Sequence, residues 1–213
     1  MNKYLSDSLT YTDNGNLITT NGNLVMMEWE DDIMRESAKV VCENGGRVLN
    51  IGFGMGIIDT YIQTHSIKEH WIIEAHPDVL KYMKQNGWYD KPNVTIIENT
   101  WQNVLHTLPT FDGIYFDTYA ESDFYRLLVP HLGQILNKDG IFCFYGDFHN
   151  NSFNTINDKF TKMGMNVSSK NIKLKNIPSL EEYGVTYWPH KQLDYKILRI
   201  QNIINIKRRR TLF

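Results

Sequence analysis

Short apolar runs alternate with stretches of helical periodicity along most of this chain. The runs fall at 47–51, 71–73, 94–97, 113–116 and 141–145. Each is brief and mostly apolar, as strands buried on both faces of a parallel sheet are. Between them the spacing predicts helices over 57–64, 78–86, 103–108 and 122–136. Ahead of the first run, Trp29, Ile33, Ala38 and Val41 recur at helical spacing over 29–42. Glu30, Asp31 and Asp32 load that first turn with charge that suits the helix dipole, and Asn44-Gly45-Gly46 stops it. After the fifth run, 152–163 reads as a helix, and 167–174 with 195–200 as a closing antiparallel pair. This order predicts an α/β fold: a doubly wound, mostly parallel seven-stranded sheet with helices on both faces. It divides the chain into an N-terminal lid segment (1–28), a catalytic-type domain (29–206) and a basic tail (207–213).

Composition narrows the picture. The 213 residues suit one domain. Lys and Arg total 22 against 24 Asp and Glu, a net charge of −2, which disfavours a chain built to coat nucleic acid. Cys42 and Cys143 form no C-x-x-C pair and no disulfide framework. The N-terminus lacks a signal-peptide pattern, and no apolar run approaches a membrane span. The expectation is a cytoplasmic protein, a nuclear location being compatible, with no membrane or nucleic-acid partner, as monomer or homodimer. No His/Cys cluster has ligand spacing, so no metal is expected. His76, His106, His131 and His149 are read as structural or surface residues.

Asn50-Ile51-Gly52-Phe53-Gly54-Met55-Gly56 follows a predicted strand and opens a predicted helix. Alternate glycines let the backbone turn sharply and let a ligand approach without meeting a Cβ. The G-x-G-x-G spacing fits a dinucleotide less well than G-x-G-x-x-G. Glu74 closes the second strand, placed to accept hydrogen bonds from ribose hydroxyls. A glycine turn without a ligand is the plainer alternative.

Two further acids stand out. Asp117 ends the fourth strand, and ligands of open α/β sheets bind outside the carboxyl ends of the strands; its alternative is to cap the next helix. Glu30, on its own segment, reads as a first-turn acid on a solvated face.

The glycine turn with its following acid resembles the class I S-adenosylmethionine-dependent methyltransferases. Four longer stretches are more specific: Val25-Met26-Met27-Glu28-Trp29-Glu30, Gly52-Phe53-Gly54-Met55-Gly56, His70-Trp71-Ile72-Ile73-Glu74, and Asp112-Gly113-Ile114-Tyr115-Phe116-Asp117-Thr118-Tyr119. Together they resemble the guanidinoacetate methyltransferase family. They are still more similar to its relatives, the type IV protein arginine N-methyltransferases of fungi and plants, which methylate the δ-nitrogen of arginine. Glu74-Ala75-His76-Pro77-Asp78-Val79-Leu80 and Gly87-Trp88-Tyr89-Asp90-Lys91-Pro92-Asn93-Val94 favour those relatives. The likeness runs from about Tyr4 to Tyr145, with Thr186-Tyr187-Trp188-Pro189 as a later anchor.

The resemblance implies S-adenosylmethionine as cofactor, S-adenosylhomocysteine as product and a guanidino acceptor. It assigns the cofactor to Met26, Met34, Gly52, Phe53, Gly54, Met55, Gly56, Ile57, Glu74, Ala75, His76, Trp101, Gln102 and Asp117. It makes Glu30 and Asp117 the catalytic acids that grip the acceptor, with Tyr11 and Tyr145 beside it. A guanidinium is planar, forked and permanently charged, so two carboxylates can hold it and aim one nitrogen. The arginine of a protein leads as acceptor, with guanidinoacetate as the alternative. The relatives' ankyrin-like N-terminal region has no counterpart in these 213 residues, which reduces the docking surface expected for a protein. Two other readings fit less well. Nucleic-acid amino-methyltransferases place a proline pair after the strand-end acid, and here Thr118-Tyr119-Ala120 follow. A non-catalytic binding module would not be expected to carry both Glu30 and Asp117.

Overall fold

A computed structural model describes residues 3–119, 124–146, 151–174 and 194–203. A 3₁₀ turn, Lys3–Ser6, leads into a three-stranded antiparallel sheet of β1 (Leu9–Tyr11), β2 (Asn16–Thr19) and β3 (Leu24–Met27). The expected lid segment therefore has a sheet of its own. Its local signals are Asn14-Gly15 and Asn21-Gly22, hairpin pairs whose glycines take φ of 75° and 78°.

A second 3₁₀ turn, Glu28–Glu30, precedes α1 (Asp31–Val41), so the helix starts two residues later than its periodicity suggests. Ile33, Met34, Ser37, Ala38 and Val41 form its buried face. Then follow β4 (Arg47–Ile51), α2 (Ile57–Ile62), β5 (Glu69–Glu74), α3 (Pro77–Gln85), β6 (Val94–Glu98) and α4 (Trp101–Val104). The chain continues through β7 (Phe111–Phe116), α5 (Phe124–Leu127), α6 (Leu132–Ile135), β8 (Leu136–Phe144), α7 (Asn151–Lys162), β9 (Met165–Lys173) and β10 (Asp194–Asn202).

The single helix predicted over 122–136 is broken. Pro130 cannot donate an N–H and crowds the preceding turn, so a 3₁₀ turn, Val129–His131, separates α5 from α6. The fifth strand also begins earlier than expected, at Leu136, which pairs with Phe111.

The large sheet has the order β6-β5-β4-β7-β8-β10-β9. β4 is parallel to both β5 and β7, and β10 runs antiparallel to β8 and β9. The seven-stranded, mostly parallel sheet read from the sequence is the observed one. Strand alternation splits the core in two. Val48, Ile72 and Tyr115 face a layer built on α1, α2 and α3. Leu49, Ile73, Ile114 and Phe116 face one containing Trp101, Leu128, Leu132 and Phe160. A fully buried aliphatic or aromatic side chain contributes roughly 1.5–3 kcal/mol, so both layers are needed to hold the central strands.

From β4 the chain winds out to β6 and then returns to the other side of β4 as β7. That reversal opens a crevice at the carboxyl ends of β4 and β7. Backbone bonds fix the edge: Gly52 N to Ile73 O at 2.9 Å, Asp117 N to Ile51 O at 2.9 Å, and Tyr145 N to Phe116 O at 3.0 Å. Gly52, Asp117 and Tyr145 consequently stand side by side at one rim.

Candidate active site

The glycine turn is shaped by close approach. Gly52 has φ of 96°, and a Cβ there would stand 1.9 Å from the Asp117 carbonyl oxygen. Gly54 has φ of 57°, and a Cβ would meet the Met26 sulfur at 2.8 Å. Met26 Sδ also accepts the Met55 N–H at 3.3 Å. The Glu74 carboxylate faces the same turn. It accepts backbone N–H groups of Phe53 at 2.9 Å and of Ala75 and His76 at 2.7 Å each. A carboxylate has about four acceptor positions. One remains for a hydroxyl, so Glu74 clasps the turn as well as offering an acceptor.

The N-terminal segment lies over this turn. The Tyr11 hydroxyl donates to the Gly54 carbonyl at 3.0 Å, and its ring stacks on Tyr82 at 4.1 Å. Leu9 N–H donates to Asp78 Oδ2 at 2.9 Å. His76 is fully buried. Its Nδ1 accepts the Asp78 N–H, so its Nε2–H faces the Tyr4 and Asp7 carbonyls at 3.2 and 3.1 Å. The Tyr4 ring sits between His76 and Tyr119, with centroids 4.9 and 4.8 Å away.

Beside the turn, the structure brings Glu30 and Asp117 to one end of the sheet. Glu30 is only 6% exposed, contrary to the solvated face that its own segment suggests. Its Oε2 accepts the Met27 N–H at 3.1 Å and its Oε1 accepts the Tyr145 hydroxyl at 2.8 Å. Burial pushes its pKa up to about 7 against the pull of those two donors. Asp117 is half-buried, and its pKa is pushed up to about 8, first by burial and then by the charges of Glu30 and Asp59. Glu30 reaches the Tyr145 hydroxyl, and the Tyr145 N–H bonds to the carbonyl of Phe116, the residue before Asp117, so both acids stand at the same end of the sheet. Two acids with raised pKa at one rim form a site that a cation would relieve.

Tyr145 and Tyr195 wall this pair. Their rings stack at 6.0 Å, and the Tyr195 hydroxyl accepts the Gly146 N–H at 3.1 Å. Sequence reading missed Tyr195, which reaches the site from β10. It also missed Thr118, whose buried Oγ1 beside Asp117 has no hydrogen-bond partner among the described residues. Thr118 stands next to a strand-end acid, which is the signal that could have found it.

The other named residues are placed as follows. Ile57 starts α2, and Gln102 is half-buried on α4. Trp101 packs edge-on against Phe116 at 5.7 Å, in the core layer. Met34 is fully buried, with Sδ 3.5 Å from the Tyr115 hydroxyl, and Phe53 packs edge-on against Trp88. The side chains of Met34 and Phe53 therefore belong to the core and do not line the rim. Among the described residues, no group of three or more His, Cys, Asp or Glu is placed to hold a metal. His149, Thr186-Tyr187-Trp188-Pro189 and the tail from Lys207 lie outside the described residues.

Residues 2–181 match the sequence model of the guanidinoacetate N-methyltransferase family. The chain belongs to the guanidinoacetate N-methyltransferase family. Within reach of that family, it is 47% identical over 156 residues to protein arginine N-methyltransferase 2 of Yarrowia lipolytica, covering 67% of this chain and 32% of the relative. It is 41% identical over 157 residues to the Saccharomyces cerevisiae protein of the same name, covering 67% and 37%. The chain thus spans about a third of the length of these curated relatives. In fold it is similar to a spermidine synthase in complex with the transition-state analogue AdoDATO, with TM-score 0.64, 15% identity, 92% of this chain and 69% of that one. It is also similar to M. jannaschii TYW2 in complex with AdoMet, with TM-score 0.57, 14% identity, and coverage of 92% and 84%. The fold is the class I methyltransferase fold. No helix among the described residues is long and apolar enough to cross a membrane.

Proposed function

We propose that this protein is an S-adenosylmethionine-dependent N-methyltransferase acting on a guanidino nitrogen, with the δ-nitrogen of a protein arginine as the leading acceptor. The observation that carries this reading is the pairing of Glu30 and Asp117 at the rim of the glycine turn. The names of the most similar relatives support arginine. The name of the family supports guanidinoacetate as the alternative acceptor.

The residues present fit the cofactor. The turn over Gly52 and Gly54 leaves no room for a Cβ at its floor. Glu74 keeps one acceptor position, and Tyr11 and Met26 roof the turn. When bound, S-adenosylmethionine supplies an electrophilic methyl group on a sulfonium. The protein's own part is to bind, orient and take a proton. Glu30 and Asp117 offer oxygens to the N–H groups of a guanidinium, whose fork matches such acceptors. The arriving cation favours both carboxylates in their charged form. Tyr145 holds Glu30 by its hydroxyl and so fixes the direction in which the remaining lone pairs point. Asp117, once the cation has drawn it into its charged form, can accept a proton from the reacting nitrogen. Tyr4 and Tyr11 help exclude water from the rim.

The test is incubation with labelled S-adenosylmethionine and three acceptors: guanidinoacetate, free arginine and total cell protein. Label in a protein whose hydrolysate contains δ-methylarginine supports the leading acceptor. Label in creatine moves the assignment to guanidinoacetate. No transfer to any of the three defeats the guanidino reading.

A further inference from the structure

Beneath the glycine turn lies a buried polar chain that the transfer chemistry does not use. Asn50 on β4, Asp59 on α2 and His70 on β5 are all fully buried. His70 Nε2 stands 3.0 Å from Asp59 Oδ1 in a bent contact, and Gln63 Nε2 lies 3.0 Å from His70 Nδ1. The Asn50 side-chain amide then donates twice, at 2.8 Å to Asp59 Oδ2 and at 2.8 Å to the Gly52 carbonyl. Trp88 closes off the His70 ring edge-on at 6.2 Å.

A buried polar pair is weak support for stability, since an apolar pair of similar volume often serves as well or better. Its geometry offers another role. The Asn50 amide faces two oxygens, and only its NH₂ end can satisfy both. Asp59 therefore dictates which way the amide points. If the amide turned over, two carbonyl oxygens would confront each other at Gly52. Gly52 in turn abuts the Asp117 main chain, with no space for a Cβ between them.

We propose that Asp59 and His70 are positioning residues for the cofactor site: the pair locks the Asn50 amide, the amide fixes the Gly52 carbonyl, and Gly52 seats the main chain of Asp117. The proposal rests on the reading of S-adenosylmethionine as cofactor. The two can fail separately.

The experiment measures S-adenosylhomocysteine binding by calorimetry, with thermal unfolding of each variant as the check on folding. Asp59→Leu removes the acceptor that orients the amide. It is expected to weaken binding at least tenfold and to lower the thermal midpoint, because His70 and the Asn50 amide lose their buried partner. Asn50→Ala leaves the Asp59–His70 contact in place but frees the Gly52 carbonyl. It should weaken binding similarly, and it decides the matter if Asp59→Leu does not fold. Asp59→Asn is the conservative variant. Its amide oxygen can still receive the Asn50 amide, and its NH₂ can face His70 once the ring proton moves to Nδ1 and Gln63 turns over. Affinity within threefold of the wild type is expected there. Wild-type affinity in folded Asp59→Leu or in Asn50→Ala overturns the lock. A loss in Asp59→Asn as large as in Asp59→Leu also overturns it, because the effect would then lie in the charge. A wild-type protein that does not bind S-adenosylhomocysteine would instead defeat the cofactor reading.

Discussion

Replacing Glu30 by Gln should make the ligand-free protein more stable at alkaline pH while disabling it. Glu30 has almost no solvent, and its pKa stands at about 7 against an ordinary 4.5. That difference is ~2.5 units at ~1.36 kcal/mol each, or about 3 kcal/mol. The folded state binds this proton more tightly than the unfolded state does. The stabilisation is therefore complete below pH ~4.5 and is lost as pH rises through about 7. Asp117, pushed to about 8, extends the loss upward, and the two overlap because each carboxylate feels the other. Glu69, drawn down to about 2 by its hydrogen bonds from Arg47, titrates below this window. Glutamine keeps an acceptor for the Met27 N–H, and its NH₂ can donate to the Tyr145 hydroxyl, so shape and bonds survive. Urea unfolding from pH ~5 to ~9 should show the wild type losing stability by about 3 kcal/mol at this site, equivalent to roughly 6–12 °C in Tm for a chain of this size. The Gln variant should lose about 3 kcal/mol less over the same range, the remaining decline coming from Asp117. If it declines as steeply as the wild type, Glu30 is not the buried acid described above.

Asp117→Asn should keep cofactor affinity but cut turnover by at least ~10²-fold in a labelled-methyl assay, the low end for a general acid or base. In the wild type, kcat/KM for the acceptor should climb as pH rises through about 7 to 8, where Glu30 and Asp117 become charged. Tyr145→Phe removes a hydroxyl donor from Glu30, so that climb should move to higher pH and acceptor KM should rise about tenfold, the ~1.4 kcal/mol of one hydrogen bond to a charged group. Gly54→Val places a β-branched side chain at φ of 57° against Met26, and calorimetry should find cofactor binding abolished in a protein with unchanged circular dichroism. Glu74→Ala frees three backbone N–H groups as well as the acceptor, so it should lower Tm besides weakening cofactor binding, whereas Glu74→Gln should spare much of the Tm.

The central strands were legible because burial on both faces leaves unbroken apolar runs, and Asp117 because it follows such a run. The break at Pro130 was equally present in the chain, but the apolar spacing of the flanking residues masked it. The small N-terminal sheet escaped because its strands are three or four residues long, too short for a period of two to register. Glu30 shows where local pattern reaches its limit. Three adjacent acids at a helix start look like a solvated dipole cap, and burial of the first comes from Tyr145, 115 residues away. Nothing within a helical window carries such a contact. The Asn50–Asp59–His70 chain escaped for the same reason, since its members lie on two parallel strands and the helix between them, which meet only when the sheet forms.

The segment that roofs the glycine turn through Leu9, Tyr11 and Met26 runs directly into Glu30. On the proposed function, one stretch of chain covers the cofactor site and delivers half of the acceptor site. On the proposed chemistry this imposes an order on the catalytic cycle. The acceptor pocket is complete only after the roof has settled, and anything beneath the roof leaves only after it lifts. Initial-rate kinetics should be sequential and ordered, with S-adenosylmethionine first on and S-adenosylhomocysteine last off. The spent cofactor would then inhibit competitively against the fresh one and noncompetitively against the acceptor.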